Sequence, residues 1–518
     1  MRPPLTGDWP TLDLALVAAS QQLADRDAYV DGEDRLTFGR WRAEADAVAA
    51  ALAARGVGPG DVVLALLPAG TAFAVLYAAV VRLGAVMSAV NPRLGPRESD
   101  AIAAASAPAV VVRDPVLRCG PGLEELPFLD AAELARLRST RGAPPARTAD
   151  PSELVALVWT SGTTGVPKGA CFDHHAMRAA VTTAGVMASP YDRRLLPTPL
   201  PHAGYMAKLW EQLAWGMTLV LTPTPWSAPA MLELLVRERI TVCGGVPTQF
   251  AKLLELDVDA ADLSALRLAV VATAPAPPDL VAGITAHLGC PVVVRYAMTE
   301  CPSISGTSEG DPPEVLLRTV GRPQVGVEVS LVDETGSPVP PGEVGLVRVR
   351  SAGAMRGYWQ GPEVPPSGLA DGWVTSSDLG RFDTDGNLVL VGRRSEMYIR
   401  GGYNVHPLEV ENVLREHPGV LSAAVVGVPA PVIGEIGVAF VVPADAAAAP
   451  SPAELRQWCA ERLADYKKPD RVELLEELPL TSMLKTDREA LLARARGQSS
   501  ARSTKDARIS TRSGPRTS

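Results

Sequence analysis

Residues 154–169 read Leu154-Val155-Ala156-Leu157-Val158-Trp159-Thr160-Ser161-Gly162-Thr163-Thr164-Gly165-Val166-Pro167-Lys168-Gly169. The first six form a continuous apolar run, the pattern of a strand buried on both faces. The loop that follows is built, apart from Val166 and Pro167, of glycines, hydroxyls and one lysine. Glycine lets the backbone come close to an anion, hydroxyls donate to phosphate oxygens, and Lys168 adds a positive charge. A strand running into such a loop reads as a polyphosphate cradle. It is not a Walker A loop, because Lys168 is followed by Gly169 rather than by Ser or Thr.

The flanking sequence supports an α/β reading. Ala45, Val48, Ala49, Leu52 and Ala53 recur at helical spacing, Gly56 to Gly60 breaks the helix, and Val62 to Leu67 is a short apolar run. Phe73 to Val90 reads as a buried helix entering a strand, since Arg82 and Gly84 interrupt it and a mid-bilayer charge is costly. The alternation over Leu232 to Val246 and Leu266 to Ala272 predicts a parallel sheet covered by helices. From about residue 320 the texture becomes β-rich, with Val325 to Val332 and Val344 to Val349 separated by a turn-rich stretch. Beyond Gly392, Pro407 opens a helix with Val410, Val413 and Leu414 inward, and Leu455, Trp458, Cys459 and Leu463 mark a second. The expected fold is α/β: a large N-terminal domain of layered sheets and helices over residues 1–392, its β-rich subdomain at about 320–391, and a small mobile α+β domain over 393–496. Residues 497–518 are rich in Ser, Arg, Thr and Gly and predict a disordered tail.

Composition narrows the function. A chain of 518 residues exceeds one ordinary core, so at least two domains are expected. The formal net charge of -9 argues against a general nucleic-acid binder. The six cysteines are scattered, with neither a disulfide framework nor a Cys-x-x-Cys pair, which fits a reducing cytoplasm and no structural metal. The polar, proline-bearing start has no apolar core for a signal peptide, and no stretch reads as an integral membrane segment.

The ten-residue loop resembles the signature of the adenylate-forming superfamily of acyl-CoA synthetases, peptide-synthetase adenylation domains and luciferases, and the resemblance covers nearly the whole chain. Tyr296-Ala297-Met298-Thr299-Glu300 resembles the family's second motif, which implies that Thr299 contacts phosphate and Glu300 holds Mg2+, a cation that prefers hard carboxylate oxygen. Thr273, Ala274 and Pro275 match the family segment at the adenine and acyl-pocket wall, and Ala297 shares that wall. Asp378 matches the aspartate that accepts from the ribose hydroxyls, and Arg393 the ribose-contacting arginine at the interdomain hinge. Gly401-Gly402-Tyr403 resembles the loop lining the thiol passage. Lys485 matches the catalytic lysine, and His202 a position beside the acyl pocket. His174 and His175 read as a helix start.

The resemblance implies ATP, Mg2+ and coenzyme A as cofactors or co-substrates and a small carboxylic acid as substrate. The carboxylate attacks the α-phosphorus while Thr160, Ser161, Gly162, Thr163, Thr164, Gly165 and Lys168 hold the leaving pyrophosphate and Lys485 stabilises the charge; CoA then takes the acyl group. Departures from the family pattern are Ser395 at the hinge, Leu484 before Lys485, Ser377 before Asp378, Ala297, and Ala272 to Pro275. Two alternatives stay open: adenylation alone, with acyl-AMP handed to a carrier protein or separate partner, and a non-catalytic nucleotide-binding homologue.

Overall fold

In the computed structural model, Leu154–Thr160 is a strand with Val155 to Val158 fully buried. It runs parallel to Val86–Ala89 and antiparallel to Lys168–Asp173. The structure describes residues 2–5, 7–160, 167–196, 199–272, 278–362, 364–481 and 486–497. Ser161 to Gly165, Thr273 to Pro275, Lys485 and the tail from residue 498 therefore lie outside the described residues. Within them the chain divides into two compact units, one running to Ser395 and the other starting at Glu396.

The first unit carries three sheets among the described residues. The strand Leu154–Thr160 belongs to a six-stranded sheet whose other central strands, Val62–Leu66, Val86–Ala89 and Val110–Arg113, are parallel. A nine-stranded sheet has a parallel centre, Arg193–Leu196, Val242–Gly245, Leu268–Ala272 and Val292–Met298, and antiparallel edges. The third sheet is antiparallel, formed by Val327–Val332, Gly345–Ser351, Val374–Phe382 and Leu388–Arg393. Its first strand starts at Val327 rather than Val325 because Gly326, at φ +80°, turns the chain, leaving Val325 exposed.

Parallel strands need crossover helices, and the apolar stretch from Phe73 supplies one. Its helix, Thr71–Leu83, is buried almost all round and stops at Gly84, whose φ of +70° is the left-handed cap that glycine adopts without a Cβ penalty. Arg82, the charge inside that run, bonds Asp46 at 2.7 Å, with Asp13 at 3.8 Å. It is thus a satisfied structural cation, and removing one partner of such a pair costs about 3–5 kcal/mol when fully buried. Among the described residues no helix is long and apolar enough to cross a membrane.

The second unit centres on the antiparallel pair Val420–Ala430 and Gly434–Pro443, extended by Tyr398–Arg400, Tyr403–Val405 and Arg471–Leu474. Helix Pro407–Arg415 buries Val410 and Leu414, and Pro452–Ala460 buries Leu455 and Cys459 against the same core. Leu463 falls beyond the second helix, yet its N–H bonds Cys459 O at 2.8 Å, so the last turn carries it to the core without continuing the helix.

Candidate active site

The carboxyl ends of parallel strands are where an open α/β sheet leaves room for a ligand. Two of the segments singled out above follow such ends: Thr160 closes Leu154–Thr160, and Thr299-Glu300 follows Val292–Met298. The last two residues form the turn of a tight hairpin, because Met298 pairs with Cys301. His202 also follows a parallel strand, Arg193–Leu196, and caps the short helix Ala203–Met206 by accepting from Gly204 N–H at Nδ1 (3.1 Å). With Nδ1 accepting, the neutral ring carries its proton on Nε2.

Glu300 and Lys168 are brought together by a residue the sequence reading did not single out. Tyr358 donates its hydroxyl to Glu300 Oε1 at 2.7 Å, and Lys168 Nζ lies 5.4 Å from the centre of the Tyr358 ring. Its segment runs along Lys168–Asp173, with Cys171 N–H bonded to Gly357 O and Trp359 N–H to Gly169 O. Met355 N–H bonds the backbone oxygen of Glu300 at 2.8 Å, fixing the hairpin turn from the same side. The only hint in the sequence is an aromatic residue after a glycine, far along the chain from both partners. Burial, then the Glu300 carboxylate, pushes the Tyr358 phenol upward, so it stays a donor.

Asp378 forms a second node. It lies on Val374–Phe382 in register with Arg393, which donates through Nε to Oδ1 at 2.9 Å, while the Tyr296 hydroxyl donates to Oδ2 at 2.6 Å. Asp378 is 8% exposed, and its own N–H is held by Ser376 Oγ. Burial, with Asp378 alongside, drives the Tyr296 phenol well above the usual range, so it too remains protonated. A carboxylate has about four lone-pair sites, and two protein donors leave acceptor capacity for a vicinal diol. That fits the ribose role. Ala297 alternates outward from Tyr296 and is exposed, as strand geometry requires.

A single carboxylate at Glu300 fits Mg2+, which keeps several waters and takes substrate phosphate oxygens rather than an all-protein cage. Among the described residues no group of three or more His, Cys, Asp or Glu could hold a metal ion. His174 begins helix His174–Thr183 and accepts from the Leu12 N–H at 2.9 Å, a structural role. In the second unit, Gly401 (φ +59°) and Gly402 (φ +86°) form the two-residue turn between Tyr398–Arg400 and Tyr403–Val405, and Tyr403 stacks on Tyr466 at 4.5 Å.

A family model for AMP-binding enzymes matches residues 16–359, and one for the AMP-binding enzyme C-terminal domain matches residues 409–485. The chain belongs to the AMP-binding enzyme family. Within it, the chain is of the adenylate-forming acyl-CoA synthetase type. This AMP-binding enzyme is 35% identical to a feruloyl-CoA synthase of Amycolatopsis sp, over 92% of this chain and 96% of the relative. It resembles the o-succinylbenzoate CoA synthetase of Bacillus subtilis, solved with its acyl-adenylate intermediate, at TM-score 0.80 and 28% identity, covering 92% of this chain and 97% of that one. It also resembles an amide bond synthetase from Marinactinospora thermotolerans at TM-score 0.79 and 32% identity, covering 92% and 99%.

Proposed function

We propose that this AMP-binding enzyme is an acid-thiol ligase that converts a carboxylic acid and ATP to acyl-AMP and pyrophosphate, then transfers the acyl group to the thiol of CoA. The observation that carries the reading is the buried Asp378, bonded by Tyr296 and Arg393, on the same unit as the Lys168, Tyr358 and Glu300 array. One node offers acceptors to a ribose; the other puts a cation and an anion where phosphates and their counter-ion would meet.

Asp378 accepts from the ribose hydroxyls and sets the nucleotide's register. Thr160 to Lys168 hold the β- and γ-phosphates. The acid's carboxylate oxygen attacks the α-phosphorus in line, the bond to the bridging oxygen breaks, and pyrophosphate leaves. Lys485 stabilises the charge gathering on the bridging oxygens. Bound at Glu300, Mg2+ neutralises phosphate charge. The thiol then attacks the acyl carbon and AMP departs, with Gly401, Gly402 and Tyr403 bordering the thiol's path. Thr273 to Pro275, Ala297 and His202 border the adenine and the acid.

A second reading is favoured by the likeness to an amide bond synthetase and by Ser395 and Leu484 at positions tied to the second step. In it acyl-AMP passes to another acceptor, a carrier-protein thiol or an amine. Acid-dependent pyrophosphate release, run across a panel of aryl, alicyclic and fatty acids with and without CoA, separates the two when acyl-AMP and acyl-CoA are followed by mass spectrometry. Acyl-CoA is the expected product. Acyl-AMP that accumulates despite CoA favours the second reading, and no release with any acid overturns both.

A further inference from the structure

The segment Met355 to Trp359 ties together two sheets of the first unit. Arg356 N–H donates to Cys171 O, Cys171 N–H to Gly357 O and Trp359 N–H to Gly169 O, so the segment lies along the strand that opens with Lys168. Met355 N–H reaches Glu300 O in the hairpin turn of the nine-stranded sheet. On its other edge Tyr358 exchanges both backbone bonds with Ser367, at 2.6 and 3.1 Å. Its ring lies against Gly368, where a Cβ would stand 2.8 Å from Tyr358 Cδ2, so glycine alone lets the backbone pass that close. A side chain held on both edges has little freedom to follow its neighbours.

That fixed ring has a cation over it and an anion at its tip. Lys168 Nζ is 5.4 Å from the ring centre, within the range of cation–π attraction, and the hydroxyl donates to Glu300 Oε1 at 2.7 Å. Among the described residues no ion pair joins Lys168 to Glu300, although both touch one side chain. Opposite charges so placed attract, and the flexible stem of a lysine lets it answer that pull. Paired with each other, the two would be spent: the ammonium would be taken from a phosphate and the carboxylate from a metal ion. Tyr358 instead gives each charge its own partner, the ring for the cation and the hydroxyl for the anion. Its hydrogen bond engages only one of the two Glu300 oxygens.

We infer that Tyr358 is a positioning residue that holds Lys168 and Glu300 near each other without letting them pair, so that before ATP arrives one charge is already set for its phosphates and the other for Mg2+. The inference rests on the acid-activating reading above and deepens it. Charges arranged in advance need no rearrangement when the ligand binds, and that saving appears as affinity. The two parts of the side chain do separable work: the ring spaces the charges and the hydroxyl orients the carboxylate.

The test measures ATP binding by titration calorimetry, with Mg2+ present and again in EDTA, and takes the ratio of the two Kd values as the gain that the metal brings. Tyr358→Phe keeps the ring and loses the orienting bond, so it should shrink that gain by about threefold or more. Tyr358→Leu removes the ring as well, lets the two charges pair and should shrink it by about tenfold or more. Adding Lys168→Met to Tyr358→Leu releases Glu300, so the double variant should recover most of the gain even though its overall affinity for ATP is lower. Simple damage to the site predicts the opposite, a further loss. No Mg2+ gain in the unmodified enzyme, an unchanged gain in both single variants, or no recovery in the double variant overturns the inference and leaves acid activation standing. Absence of acid-dependent pyrophosphate release by the unmodified enzyme overturns the activating reading itself, and the inference falls with it. If Tyr358→Leu fails to fold, the gain measured for Tyr358→Phe decides the matter alone.

Discussion

Asp378 accepts one bond from Tyr296 and one from Arg393, and both donors bear on how it would meet a nucleotide. Asp378→Asn keeps the shape, removes the charge and places a donor where acceptors are needed. It should raise KM for ATP and lower kcat/KM by about ten- to a hundredfold, the worth of one or two charge-assisted bonds, with the melting temperature little changed; steady-state kinetics at varied ATP check this. His174 makes a separate prediction about stability. Burial holds its pKa below the usual value, although Asp13, Glu153 and Asp173 pull it up, because the ring is packed against Trp210 and accepts the Leu12 N–H. As pH falls, the unfolded chain takes up the proton first. Its stabilising contribution is therefore complete above an unfolded pKa of about 6.5 and is lost as pH drops below that toward the folded value. His174→Asn keeps an acceptor but does not titrate, so the urea midpoint of the variant should fall less between about pH 6.5 and 5 than that of the unmodified protein. An equal fall in both would show that His174 does not set this limb.

Two hairpin turns carry much of the proposed chemistry, and they differ in how readable they were. Gly401-Gly402 between alternating residues is a strong local signal for a two-residue turn, and both positive φ angles agree. Thr299-Glu300 has no such turn chemistry; it was singled out by its motif, and only the pairing of Met298 with Cys301 made it a turn. A Cβ at Gly402 would meet open space, so a larger residue there costs only the strain of the left-handed backbone, about 1–2 kcal/mol. Gly402→Leu should then leave acyl-AMP formation near normal and slow acyl-CoA formation by about tenfold or more, if the turn borders the thiol as proposed. Single-turnover assays with and without CoA separate these steps, and equal slowing of both would remove the turn from the thiol's path. The helix Thr71–Leu83 was equally legible, since its apolar run and Gly84 stop are local signals, whereas the partners of Arg82 were not, because Asp46 and Asp13 approach it only after the helices pack.

On the scale of the whole molecule, the chain passes from one compact unit to the other at Ser395 and Glu396. If the two half-reactions need two arrangements of the units, a residue that fixes φ at this point should separate them. Ser395→Pro is expected to retain acyl-AMP formation in a single turnover while lowering steady-state acyl-CoA production by about tenfold or more; loss of both in proportion, or of neither, would count against a hinge there. The amino-acid sequence by itself determined the α/β class, the β-rich stretch after residue 320, the family resemblance and the order of its motifs, because periodicity, turn residues and a ten-residue loop are local and survive in one dimension. Tertiary structure alone decided that Tyr358 bridges Lys168 and Glu300, that Tyr296 and Arg393 converge on Asp378, and that the buried Glu211 pairs with Arg194. Whether a buried charge is satisfied depends on partners distant in sequence that meet only when sheets and helices close around it, and no local pattern encodes that balance.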